Sequence, residues 1–176
     1  MAIFYVNSKQ IIFAAIAMLE PISLQVVTYQ DATDAIHIIR STVFQIEQGV
    51  DPEIEFDGQD ADAIHLLAYE GTQPIGTTRI RYLNAHLAKI ERVAVLPAYR
   101  GRGIGRQLME KAICWIQKQG CHEVKINAQI HAKQFYEKLG FQAQGFEFEE
   151  AGIPHIEMRR KFIHPCPQSA IASREA

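Results

Sequence analysis

Residues 96–108 read LPAYRGRGIGRQL, three glycines and three arginines set between two apolar stretches. These residue types at a strand-to-helix junction suit anion binding. Glycine lets the backbone come close to a ligand, and the first turn of a helix offers phosphate unpaired N–H groups and a favourable dipole. Two nucleotide motifs fail on spacing. A dinucleotide turn requires G-x-G-x-x-G after the first strand of a βαβ unit, whereas Gly101-x-Gly103-x-Gly105 misplaces the third glycine and comes after several strands. Glu123 begins its strand and would point away from a ribose. A P-loop requires Gly-Lys-Ser/Thr, which this turn lacks. A purely structural turn would have no use for three arginines.

The elements that must position this turn follow from periodicity. Residues 24–29 (LQVVTY) read as a β-branched strand, and Asp31 is placed to cap a helix, with Asp34 near the capping-box position. Ile36, Ile39, Val43 and Ile46 recur at helical spacing to about Gln48. An acidic connector over 51–62 (DPEIEFDGQDAD) leads to strands over 63–69 and 75–82, joined through the turn EGTQP. Residues 87–96 (LAKIERVAVL) form the next strand, ahead of the glycine-arginine turn. Ile104, Leu108, Ala112 and Ile116 mark one face of a helix closed by Gly120. A strand over 122–128, a short helix over 131–139, and strands over 141–149 and 155–162 complete the pattern. The sum is an α+β domain, a mainly antiparallel central sheet with helices packed against it.

At 176 residues, 48% apolar and 22% charged, the chain reads as one globular domain. A net charge of −2 offers no basis for a nucleic-acid partner, since phosphate-backbone binders are basic. Cys114, Cys121 and Cys166 show no C-x-x-C spacing, so buried or idle thiols are expected, with neither a disulfide framework nor a metal site. Lys9 precedes nine apolar residues, 11–19 (IIFAAIAML), too few for a bilayer span of about 20. Its A-x-A pattern lies inside the apolar run, against a secretion signal. Residues 1–20 are therefore expected to be an extension, either a packed helix or a segment upstream of a true start at Met18. The domain is expected over 21–163, with 164–176 a disordered tail. A cytoplasmic location and no membrane partner follow from this reading.

Arg100-x-x-Gly103-x-Gly105 after Val93-Ala94-Val95, with FYEKLGF at 135–141, resembles the GNAT superfamily of N-acetyltransferases. The likeness runs over 24–162. Three stretches, VFQIEQ at 43–48, EFDGQD at 55–60 and GIPHIEM at 152–158, resemble its ElaA-like branch. The resemblance implies a GNAT fold in which two parallel strands, 90–96 and 124–128 here, splay apart at a bulge. Acetyl-CoA, as co-substrate, would lie in the gap. Backbone groups of Val93, Ala94 and Val95 would pair with its pantetheine arm like an added strand, and the N–H near Val95 would meet the thioester oxygen. The N–H groups of Gly101, Arg102, Gly103, Ile104, Gly105 and Arg106 would hold the pyrophosphate, with Arg100, Arg102 and Arg106 opposing its charge. Gln129 stands where the family often has asparagine, and its amide keeps both hydrogen-bonding roles.

The implied activity is acetyl transfer to a primary amine, small molecule or peptide, by direct attack in a ternary complex. Neither serine nor cysteine sits at the motif to carry an acetyl group. Tyr136 matches the tyrosine that protonates the leaving thiolate. Glu91, alternating with Ile90 and Arg92, is a candidate base acting through one water, and His155 is a second candidate base or an acceptor-site residue. Glu47, Asp57 and Asp60 would place negative charge near the mouth and favour a cationic amine. Dimers are common in the superfamily, which makes a homodimer an expectation. The rival reading is a non-catalytic acyl-CoA sensor or interaction module, and such a binder would need neither Glu91 nor Tyr136.

Overall fold

The computed structural model describes residues 20–162. The readings made for the N-terminal segment and for the tail from His164 lie outside the described residues. Seven strands form one sheet in the order β1-β2-β3-β4-β5-β7-β6: β1 (Ile22–Val27), β2 (Ile64–Glu70), β3 (Gln73–Tyr82), β4 (Leu87–Val95), β5 (Glu123–Gln129), β6 (Gln142–Glu150) and β7 (Ile153–Lys161). All neighbours are antiparallel except β4 and β5. A mainly antiparallel sheet with one parallel strand pair is what the resemblance implies. Among the described residues no helix is long and apolar enough to cross a membrane.

Two helices cover opposite faces. Helix α1 (Tyr29–Arg40) packs Ile36 and Ile39 against Leu67 and Ala94, and continues as a π-helical segment, Ser41–Glu47, that adds Val43. Thr28, and not Asp31, caps α1: its hydroxyl oxygen accepts from the Asp31 N–H. The first strand therefore ends at Val27, two residues earlier than the apolar pattern suggested. Ile46 is 80% exposed, because the wider i→i+5 turn rotates it off the apolar stripe. A one-turn helix, α2 (Pro52–Glu55), follows. On the other face α3 (Ile104–Lys118) buries Ile104, Leu108, Met109, Ala112, Ile113 and Ile116 against β2 to β5. The short α4 (Lys133–Glu137) joins that side through Phe135 and Tyr136. Cys121 is a buried free thiol and Cys114 is buried on α3, the core placement expected of these cysteines.

Close packing of α3 on the sheet explains Gly76 in β3. A Cβ there would stand 3.1 Å from both the Ala94 carbonyl oxygen and Leu108 Cδ1.

The feature that opens the sheet is in β4. Thr77 faces Ala94 and Arg79 faces Glu91, so β4 carries one extra residue between these pairs. Arg92 occupies the bulge at φ 57°, and a bulge of this kind bends and twists its strand. Parallel pairing with β5 is confined to Leu87–Lys89 against Glu123–Lys125. Beyond Lys89 the strands diverge, while β5 stays paired with β7 as far as Gln129. The edge of β4 over Ile90–Val95 is left without a strand partner on that side.

Candidate active site

The divergence of β4 and β5 leaves a cavity of 370 Å³ lined by both strands, the π-helical segment, α4 and the β6–β7 hairpin. Among the residues expected to function, Glu91, Val93, Ala94, Val95, Arg100, Gln129, Tyr136, Glu47 and His155 all line it. Gly101, Arg102, Gly103, Ile104, Gly105 and Arg106 continue past Arg100 and are not part of its wall. The Ile104 side chain is core. Gly101 and Gly103 adopt φ of 75° and 77°, with open space where a Cβ would stand. They turn the chain so that α3 begins at Ile104 with its first N–H groups at the end of β4.

The three arginines of this turn each hold a carboxylate. Arg100 donates through Nη1 and Nη2 to Glu47 at 2.7 and 2.6 Å, and through Nε to the Val95 carbonyl at 3.0 Å. Arg102 pairs with Glu70 and lies over the Tyr99 ring. Arg106 pairs with Glu110 one helical turn on.

The two faces of the sheet present different groups to the cavity. On the α3 side Tyr136 packs against the main core, edge-on to Phe135 and Phe141. Burial pushes its phenol up to about 12, so it keeps its proton throughout the neutral range. On the α1 side stand Glu91, Asn127, Gln129, His155 and Glu150. Gln129 donates to the Gln48 amide oxygen at 2.9 Å, tying the end of β5 to the π-helical segment. His155, opposite Gln129 in the β5–β7 register, hydrogen-bonds through Nδ1 to the Ile153 carbonyl at 2.8 Å. A carbonyl only accepts, so Nδ1 carries the proton and Nε2 of the neutral ring keeps its lone pair.

The Glu91 side chain is 8% exposed and surrounded by cations: Arg79 at 3.4 Å, Arg81 at 3.1 Å and Lys89 at 3.1 Å. Burial by itself would raise its pKa; Arg79, Lys89 and Arg81 outweigh it and hold the carboxyl below its usual range. It is a fixed anion with weak basicity.

Asp57 and Asp60 do not line the cavity. Asp57 receives two hydrogen bonds from Arg79, each 2.7 Å. Asp60 receives Arg40 at 2.5 Å and Arg79 at 2.9 Å. Arg40 and Arg79 are completely buried, and a buried guanidinium without a carboxylate is costly. Pairing with these two arginines is the role that the structure shows for the acidic connector at these two positions. Asn127, Glu150 and Arg92 were not singled out by motif. Arg92 at a left-handed φ leaves no trace in a strand-like sequence, and Asn127 meets Glu150 only through folding.

The family model for the acetyltransferase (GNAT) domain matches residues 28–162. The chain is 36% identical to Protein ElaA of Escherichia coli over 134 residues, 71% of this chain and 84% of that protein. The crystal structure of Escherichia coli ElaA superposes with TM-score 0.72 at 30% identity, covering 80% of this chain and 100% of that one. An acyl-CoA N-acyltransferase from Pseudomonas aeruginosa gives 0.71 at 31% identity, covering 80% and 99%. A cleft opened at a β4 bulge, a glycine turn at its end and these likenesses agree: the chain belongs to the GNAT family of acetyltransferases, in its ElaA-like branch, and is an acyltransferase enzyme.

Proposed function

We propose that this enzyme moves acetyl from acetyl-CoA to a primary amine, which attacks the thioester directly while both substrates are bound. The observation that carries the reading is the two-sided cavity, with a protonated phenol on the α3 side and His155 and Glu91 on the α1 side. Acetyl-CoA fits the α3 side, where the unpaired edge of β4 can take the pantetheine arm as an added strand. The glycine turn and the first N–H groups of α3 then meet the pyrophosphate. The acceptor enters from the α1 side.

Two proton transfers complete the reaction. An aliphatic amine with a pKa near 10.4 is almost wholly protonated at pH 7, a gap of roughly 4–5 kcal/mol. His155, which lines the cavity and has its Nδ1 engaged by the Ile153 carbonyl so that Nε2 is left to accept, is the better placed base, because Glu91 is committed to three cations. The nitrogen then attacks the carbonyl carbon, the C–S bond breaks, and Tyr136 gives its proton to the departing thiolate.

The test is calorimetric titration with acetyl-CoA, with NADH and ATP as controls, followed by free-thiol release on adding a panel of amines. Binding near micromolar Kd, about −8 kcal/mol, with thiol release on amine addition is expected. Tight binding with no release for any amine would sink the transfer reading.

A further inference from the structure

Four carboxylates line the cavity: Glu47, Glu55, Glu91 and Glu150. Three are neutralised. Glu47 holds Arg100, Glu55 holds Arg40 and Arg92, and Glu91 holds Arg79, Arg81 and Lys89. Glu150 has no ion-pair partner among the described residues; the Asn127 amide donates to its Oε2 at 2.6 Å.

The placement of Glu150 comes from the shape of the β6–β7 hairpin. Between Gln144 and Phe148, four steps along β6 span only two along β7, from Glu157 to His155. Gly145, at φ 75°, lies in this irregular stretch, and extra residues of this kind bend a ribbon sharply. The bend carries the hairpin tip toward β5, although β7 lies between β5 and β6 in the sheet. Ala151 and Gly152 make the tip with φ of 52° and 74°. Asn127 then fixes one carboxylate oxygen. Ile153 and His155, from the same hairpin, complete that part of the wall.

We propose that Glu150 is an anchor for a second, non-reacting positive charge on the acceptor, so that the acceptor class is a diamine or a longer polyamine. The inference rests on the acetyl-transfer reading above and names its substrate class. The reacting nitrogen itself is a poor occupant of Glu150. A carboxylate beside an ammonium stabilises the charged form and makes the proton harder to remove, which opposes attack. A distal ammonium has no such conflict. Held at Glu150, it would fix the other end of the molecule toward His155 and the β4 edge. Asn127 would keep the carboxylate aimed, and Phe44 and Ile153 offer apolar surface to the methylenes between the two charges.

The experiment is calorimetry on the CoA-saturated protein with 1,4-diaminobutane and with n-butylamine, repeated on Glu150→Gln and Asn127→Ala. In the wild type the diamine should bind about tenfold or more tightly than the monoamine, the scale of one charge-assisted hydrogen bond. Glu150→Gln should abolish that preference, and Asn127→Ala should reduce it. Circular dichroism and the thermal midpoint check that each variant is folded. Equal binding of the two amines, or a preference that survives in folded Glu150→Gln, overturns the proposal. The acetyl-transfer reading fails separately. If the diamine binds through Glu150 but releases no thiol from bound acetyl-CoA, the anchor stands and the reaction does not.

Discussion

Arg92 and Glu55 hold each other across the base of the cleft. Arg92 Nε lies 2.8 Å from Glu55 Oε2, and its guanidinium also donates to the Ile54 and Glu55 carbonyls at 2.9 to 3.3 Å. Arg92 is one of two non-glycine residues with left-handed φ among the described residues, a conformation costing about 1–2 kcal/mol. The pair thus fastens the β4 bulge, and with it the splay that makes the cavity, to helix α2. Glu55 also holds fully buried Arg40 at 2.5 Å.

Removing that carboxylate leaves Asp60 as the carboxylate partner of Arg40, and leaves Arg92 with backbone carbonyls and Asp57 at 3.5 Å. Glu55→Gln should therefore lower stability by about 3–5 kcal/mol, read as a drop in urea midpoint. The conservative change Arg92→Lys keeps the charge but loses the planar fork. It should lower kcat/KM at least as much as it lowers stability. A variant with normal stability and normal turnover would show that the bulge holds its shape without the clamp.

Tyr136→Phe deletes one hydroxyl in a well-packed place. Loss of a positioned acid should lower kcat by about tenfold or more, with acetyl-CoA affinity close to wild type in calorimetry. Unchanged kcat with a verified acceptor would remove Tyr136 from the mechanism.

The two candidate bases separate by substitution. Glu91 is held below the ordinary carboxylate range by three cations, which leaves it a weak acceptor of a proton. Loss of a positioned base should lower kcat/KM by about tenfold or more in His155→Ala, with the fold checked by circular dichroism. Unchanged kcat/KM in folded His155→Ala would return the role to Glu91.

Arg100 grips Glu47 in a partly exposed pair, side chains 43% and 39% accessible. Such pairs contribute about 0–1 kcal/mol. A pyrophosphate arriving at the glycine turn must compete with Glu47 for this guanidinium. Glu47→Gln should tighten acetyl-CoA binding by up to about fivefold, that same energy converted, while Arg100→Ala should weaken it. Weaker binding in Glu47→Gln would mean that Glu47 positions Arg100 for the ligand.

Acid stability should follow Asp57 and Asp60. Burial would raise both; Arg79 and Arg40 more than compensate and hold both below the usual range. In the unfolded chain these carboxylates take protons near pH 4, while in the folded chain they resist. Their stabilising effect is therefore fully present above about pH 5 and lost as pH falls through the lower folded values. Urea midpoints between pH 6 and 3 should decline, and Asp57→Asn should decline less steeply. An equally steep decline in the variant would assign acid lability to other groups.

Much of the molecule was legible from residue order alone. Periods of two and 3.6 residues located the strands and helices within a few positions, because side-chain alternation and helical facing are local. The turn from Arg100 to Arg106 carried its meaning in local chemistry too, glycines for left-handed backbone and a helix start for anions. Thr28 displaced Asp31 as the cap of α1, and a π-helical segment turned Ile46 to solvent. Both are local details that apolar spacing does not register.

Tertiary structure decided which charges are spent and which are open. Arg100 and Glu47 are 53 residues apart in sequence, Arg79 and Asp57 22, and Asn127 and Glu150 23. Sequence marked Asp57 and Asp60 as acidic but could not show that two buried arginines claim them. It gave no sign that Glu150 alone among four cavity carboxylates lacks a cation among the described residues. Ion pairs across a sheet are fixed by strand register and by bulges such as the one at Arg92, and a one-residue slip would reassign them all. The glycine turn is written in adjacent residues; the acceptor side exists only once β4, β5 and the bent β6–β7 hairpin have met.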